Sequence, residues 1–381
     1  MIGTDTQPNA ILVGVLILLF MKNKVINYPL MALWSMFFLS LLFAFDSNLD
    51  NFTTVKTTLN YLSPAIVATI TYNILSNTKF RISFRFFFSA VMIYFVIGFV
   101  QHYFISHFMT FLLSMARGIH MHGRGVISLT NEPAFYGITC LMMMIFSLMN
   151  YSKKQNLLCI PILLYQLLFL AKTTTAFGVL IVALAIFGVI QTIRMKLWYV
   201  LGFVVVIVIG SITYTHLLKV YEDTRVGKLA EEFIEDPLML AQVDESASIR
   251  LTGTFAPILG IKENYFLPFG FGRYNSFISE LYYGRKYRKL IIPYTLKFKD
   301  KIEGGLNAVL FHFGFLGLLF PLGIYFSFKG LLGRPEYLFS LILFYLLLVN
   351  IQLMNAMIGL IIGYTLYSTT DFSHNTERDE S

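Results

Sequence analysis

Apolar runs about as long as a bilayer is thick recur through this chain of 381 residues, separated mostly by short turns that carry its charge. A helix needs about 20 apolar residues to cross a hydrocarbon core of about 30 Å, and fewer where flanking side chains snorkel. That rule predicts eleven spans, near residues 9–21, 27–45, 57–78, 84–105, 133–150, 157–171, 173–193, 197–218, 305–328, 336–349 and 352–367. The expected fold is therefore all-α, a polytopic integral membrane protein. Only 13% of the residues are charged and 56% are hydrophobic, whereas a soluble domain has about a quarter of its residues charged.

The charges in the turns set the orientation. Lys22 and Lys24, then Lys79, Arg81 and Arg85, then Lys153 and Lys154, then Arg194 and Lys196, then Lys329 and Arg334 fall in every second connection. Short loops rich in Lys and Arg stay cytoplasmic, so the intervening loops are expected outside and the polar tail 368–381 inside. The formal charge of +8 is thereby spread over many turns and makes no basic face for a nucleic acid. Residues 1–9 hold Asp5 and no Lys or Arg, so the first run reads as a retained helix and not as the core of a signal peptide. Cys140 and Cys159 each sit inside an apolar run, where a thiol behaves as a small hydrophobe.

One interval breaks the pattern. Residues 219–304 form the only long polar stretch, expected as a large extracytoplasmic loop late in the chain. It divides spans one to eight (1–218, with a smaller outer loop at 107–132) from the last three spans (305–367). Arginine is normally sparse outside, yet Arg117 and Arg124 lie in the smaller outer loop and Arg250, Arg273, Arg285 and Arg288 in the larger. A guanidinium presents planar paired donors that suit phosphate oxygens, so such a cluster can hold a diphosphate. Snorkelling to lipid phosphates, or pairing with acids such as Asp244 and Glu245, explains the same residues equally well; Arg124 and Arg250, flanked by small and hydroxyl residues, favour the ligand reading.

Asn131-Glu132-Pro133 opens the fifth span with residues that a helix N-terminus ordinarily favours. Glu132 is also a carboxylate at the outer boundary, placed to act as general base toward a hydroxyl. Lys172-Thr173-Thr174-Thr175 reads as a helix start with hydroxyl caps, or as a contact for an anionic ligand. His312, near the outer end of the ninth span, is either a hydrogen-bonded packing residue or a site residue, since ionisable groups at that depth are unusual. His120 and His122 have no third ligand nearby, so no metal is expected. No Walker loop, dinucleotide-binding glycine pattern, zinc-protease motif or nucleophile elbow is present, and no cofactor is implied.

Taken in order, Arg124-Gly125 to Asn131-Glu132-Pro133, Lys172-Thr-Thr-Thr-Ala, Ser248-Ile249-Arg250, Gly270-Phe-Gly272, and Gly305-Leu-Asn307 leading to Gly314-Phe-Leu-Gly317 resemble the Wzy-type O-antigen and polysaccharide repeat-unit polymerases. The resemblance runs from about residue 110 onward, and it has two departures. Many relatives, the O-antigen ligases among them, carry a His before the Asn that opens the helix after the large loop, where this chain has Leu306; members also often have an additional N-terminal span, whereas this chain reads as an odd number of spans with the N-terminus outside.

The resemblance implies a GT-C-like glycosyltransferase of the bacterial inner membrane, working without metal or nucleotide sugar. It would move a growing glycan from undecaprenyl diphosphate onto a carrier-linked repeat unit, with a polysaccharide chain-length regulator as a further expected partner. On that reading Arg124 and Arg250 grip the diphosphate and Glu132 takes the acceptor proton. Arg117, Arg273, Lys172, His312 and Asn307 line the substrate site. Two rivals are a ligase that delivers glycan to lipid A core and a carrier flippase. The flippase would favour charges within the spans, which are nearly free of them.

Overall fold

The computed structural model describes residues 8–22, 24–47, 49–78, 81–106, 108, 125–193, 245–284, 302 and 304–379, with backbone alone at 8, 245–251 and 371–379. Among them every regular element is helical. Six stretches are long and apolar enough to cross a membrane: Tyr28–Phe45, Phe84–Tyr103, Pro133–Asn150, Lys153–Ala171, Thr174–Ile193 and Gly305–Leu331. The apolar helices Asn9–Phe20, Pro335–Leu348 and Ala356–Thr370 are shorter. The expected span 197–218, and residues 219–244 and 285–301 of the expected loop, lie outside the described residues.

The chain divides into two compact units. The first is built from α4 (Phe84–Tyr103), α5 (Pro133–Asn150), α6 (Lys153–Tyr165), α7 (Thr174–Ile193) and α12 (Pro335–Leu348). Local chemistry fixes the starts: the Ser83 hydroxyl accepts from Phe86 N–H, and Ser152 with Gln155 forms a reciprocal capping box on α6. α5 is the most enclosed of these helices, with thirteen buried residues. The Tyr337 hydroxyl on α12 donates to the Met149 carbonyl at its far end, 2.8 Å away.

The second unit holds α1 (Pro8–Phe20), α2 (Tyr28–Phe45), α3 (Asn51–Thr78), α8 (Glu245–Glu263), α9 (Tyr274–Tyr283), α10 (Gly305–Phe313), α11 (Leu319–Phe328) and α13 (Ala356–Asp379). Its axis is α3, whose 28 residues include buried Thr58, Ser63, Thr69 and Asn73. These polar groups are kept from lipid because α1, α2 and α13 surround them. Thr69 accepts from the Trp34 indole N–H at 3.0 Å, and Asn73 closes a reciprocal pair with the Val25 backbone between α1 and α2. Gly359 and Gly363, four apart on α13, let that helix lie directly on Val67, Ala68 and Thr71. Close approach through small residues is how helices associate where no hydrophobic effect drives them.

The expected ninth span, 305–328, is one apolar stretch broken in the middle. α10 stops at Phe313, Gly314 takes φ 55°, and a 3₁₀ turn (Gly314–Leu318) leads into α11. A side chain at Gly314 would meet the Phe266 carbonyl oxygen.

Candidate functional site

In the first unit the chain between α4 and α5 is not helical over Gly125–Glu132, and the Gln101 side-chain amide holds it among the helices. Gln101 treats Ser128 as a strand neighbour would: Oε1 accepts from Ser128 N–H at 2.7 Å, and Nε2 donates to Ser128 O at 3.1 Å and to Phe108 O at 2.8 Å. Ser128 itself is at φ 48°, with its hydroxyl donating to Tyr94 O. Gln166 accepts from the Tyr136 hydroxyl at 2.9 Å. All four of Gln101, Ser128, Tyr136 and Gln166 are buried. Backbone that leaves the helix among spanning segments is tolerated where protein satisfies its polar groups, and here the Gln101 amide satisfies both backbone groups of Ser128.

Gln166 begins a π-helical turn, Gln166–Ala171, that ends at Lys172 with φ 44° and ψ 44°. The extra residue per turn loosens the Leu170 carbonyl from the ladder, and Val126 N–H takes it at 2.8 Å. Gly125 packs against the Ala171 carbonyl, leaving no room for a side chain. Gly137 on α5 faces Thr173 and Ala176. The N-terminal turns of α5 and α7 therefore lie side by side, with Glu132 and Lys172 at the same end of the unit.

Glu132 is the N-cap residue of α5, with Pro133 in the first turn, and its carboxylate makes no capping bond. The expectation that Asn131 caps the helix is thus displaced by one residue. Lys172 does not start α7; it is the left-handed hinge before it, and Thr173 O receives the first N–H, from Phe177. Both Glu132 and Lys172 are half-buried.

In the second unit His312 is buried, with Nδ1 2.6 Å from the Tyr61 hydroxyl. Phe271 stacks flat on Tyr61 and turns its edge to His312 at a centroid distance of 4.9 Å. Asn307, also buried, donates from Nδ2 to Gly253 O at 3.2 Å and Val349 O at 3.4 Å, which ties α10 to α8. Its contacts are those of a structural tie. Arg273 precedes α9, half exposed, with a guanidinium nitrogen 3.9 Å from the Asp46 carboxylate. At that distance and exposure the pair is weak. The acid that meets Arg273 is not one of those the sequence suggested.

Arg250 lies in α8, where only the backbone is described; Arg117 and Arg124 lie outside the described residues. Among the described residues no group of three His, Cys, Asp or Glu is placed to hold a metal ion. Tyr61, Gln101 and Gln166 are not among the residues expected at the site, although each is a polar side chain inside an apolar run, the same signal that marks His312. No protein-family model matches the chain, and no curated protein is a significant match.

Proposed function

We propose that this membrane protein is a repeat-unit polymerase, transferring a growing glycan from undecaprenyl diphosphate to a carrier-linked repeat unit on the outer face of the bacterial inner membrane. The observation that carries the reading is the junction in the first unit. Two of the motifs that resemble the polymerases, Gly125 to Pro133 and Lys172 to Thr175, are far apart in sequence and meet there through the Val126–Leu170 hydrogen bond. A carboxylate and an ammonium, Glu132 and Lys172, stand at the end where they meet.

The chemistry asks for that combination. The acceptor hydroxyl oxygen attacks the anomeric carbon of the donor, its proton passes to the Glu132 carboxylate, and the bond to the carrier oxygen breaks with its electron pair going to the diphosphate. Cations fixed before the reaction stabilise that growing charge without a metal. Lys172, Arg117, Arg124, Arg250 and Arg273 are the groups assigned to it, with Arg124 and Arg250 principal. Leu306, where the ligases carry His, favours polymerase over ligase.

Reconstitution in vesicles with a synthetic carrier-linked repeat unit tests the reading. A ladder of lengthening glycans with release of undecaprenyl diphosphate supports it. Folded protein that gives no ladder, or that transfers glycan only when lipid A core is supplied, overturns it. Arg250→Ala and Glu132→Gln are each expected to abolish long products at unchanged protein level.

A further inference from the structure

Residues 245–283 belong to the stretch expected as a large extracytoplasmic loop, and they run along the broken span. α8 passes the start of α10 at Gly253, whose carbonyl accepts from Asn307, and runs on beside it so that Gly260 packs on Phe311. The chain then turns at Asn264–Pro268. On the way back Phe269 N–H bonds Phe311 O at 3.2 Å and Gly270 N–H bonds His312 O at 3.0 Å, while Phe315 N–H bonds Phe266 O at 2.8 Å. These are the groups freed by the break at Gly314. Phe269 stacks on Phe311 at 4.5 Å, and Ala256, Tyr274, Phe277 and Ile278 close a core around it.

The depth of the turn follows from the rise of the elements below it. Lys329, whose ammonium folds back to 5.7 Å from the Phe326 ring, marks one boundary of the apolar stretch. The ten residues of α11 rise about 15 Å at 1.5 Å each, and the rest of the 3₁₀ turn up to Phe315 adds roughly 8 Å at about 2.0 Å each. Phe315, and Phe266 bonded to it, therefore stand about 23 Å from Lys329. A hydrocarbon core of about 30 Å extends some 7 Å beyond them.

The surface at that level is apolar. Tyr265 is 86% exposed, Phe266 60% and Leu267 54%, continuous with exposed Phe315, Leu318, Leu322 and Phe326 on the span itself. Tyr265 and Phe266 are held at φ 51° and 64°, a costly conformation for bulky residues, by the bonds from Phe266 N–H to Ile261 O and from the Asn264 amide to Leu267 O. The exposed Lys262 and Glu263 come just before the tip, on the side nearer water, where a lysine stem reaches the headgroups.

We propose that the α8–α9 hairpin is re-entrant: it dips into the leaflet opposite Lys329, and its tip, Tyr265-Phe266-Leu267, contacts lipid acyl chains. The partner is the lipid bilayer itself, and the inference stands whatever reaction the protein performs.

Spin labels in protein reconstituted in phosphatidylethanolamine–phosphatidylglycerol vesicles test it. In a Cys140→Ala, Cys159→Ala background, labels at Tyr265→Cys and Leu267→Cys are compared with Leu322→Cys as the lipid reference and Asn51→Cys as the aqueous one. Collisions with oxygen favoured several-fold over a nickel chelate, as at Leu322, support insertion; nickel-favoured collisions, as at Asn51, overturn it. If these variants fail to fold, the unmodified protein is photolabelled with a diazirine in the acyl chain. Adducts on the peptide holding Tyr265–Leu267 support the proposal. Adducts on Leu319–Phe326 with none at the tip overturn it.

Discussion

The Tyr61 hydroxyl and the His312 Nδ1 nitrogen, 251 positions apart in the chain, face each other at 2.6 Å with both side chains buried. This contact joins α3 to the last turn of α10, one residue before the end of that helix. A buried polar pair stabilises only while both members are present, because either alone keeps its desolvation cost.

Tyr61→Phe is therefore expected to destabilise the protein by about 1–3 kcal/mol. A double-mutant cycle with His312→Leu, read by denaturation in detergent, should give a coupling energy above about 0.5 kcal/mol. Additive single effects would show that the contact contributes nothing.

Gln101→Leu removes three hydrogen bonds from the segment before α5 and strands the buried amide of Ser128. The expected loss is about 3 kcal/mol, near the upper end for a buried unsatisfied group. Hydrogen exchange should rise at Val126–Thr130 before it rises in α5. Gln101→Glu, which keeps the acceptor and loses the donor, should fall between the two.

Gly314→Ala places a methyl at φ 55° against the Phe266 carbonyl. Strain of this kind costs about 1–3 kcal/mol before the collision is counted. The variant should lower thermal stability and free the turn at Asn264–Pro268, measured as faster exchange or proteolysis there.

Arg273 and Asp46 are too exposed and too far apart to matter for stability. Asp46→Ala is expected to change it by less than about 0.5 kcal/mol. If the proposed diphosphate contact of Arg273 is correct, Arg273→Ala reduces glycan length while Asp46→Ala leaves it unaltered. Equal loss in both would assign Arg273 to the ion pair alone.

Asp50 accepts hydrogen bonds from the backbone N–H and the hydroxyl of Thr53 at the start of α3, and the backbone bond most of all holds its carboxyl below the usual value. A depressed folded pKa contributes stability that is present above the unfolded value of about 4 and is lost as pH falls through the folded value. Melting curves of the native chain and Asp50→Ala should thus differ above that range and converge in stronger acid. A gap that persists unchanged would refute the capping role.

The helices are legible because a span must stay apolar over its whole length, whether it faces lipid or, like α5, is enclosed by other helices. The beginning of α3 is not legible from hydropathy, since polar Asn51, Thr53, Thr54 and Lys56 outnumber Phe52 and Val55; the cap at Asp50 announces it instead. Lys172 reads as a helix start from its hydroxyl neighbours, but a π turn precedes it, whose first residue, Gln166, bonds Tyr136, a contact no local pattern reports. Gly314 belongs to a motif in the sequence but is not legible there as a break, because an apolar run gives no sign of where its hydrogen bonds change partners.

That change of partners bears on what the span can carry. A transporter with an interrupted helix turns the severed carbonyls toward its cargo, as ligands for a passing cation. Here Phe311 and His312 give theirs to Phe269 and Gly270, and the amide of Phe315 is matched by Phe266. The interruption works as joinery, a mortise cut for the hairpin, and no port for an ion opens at it.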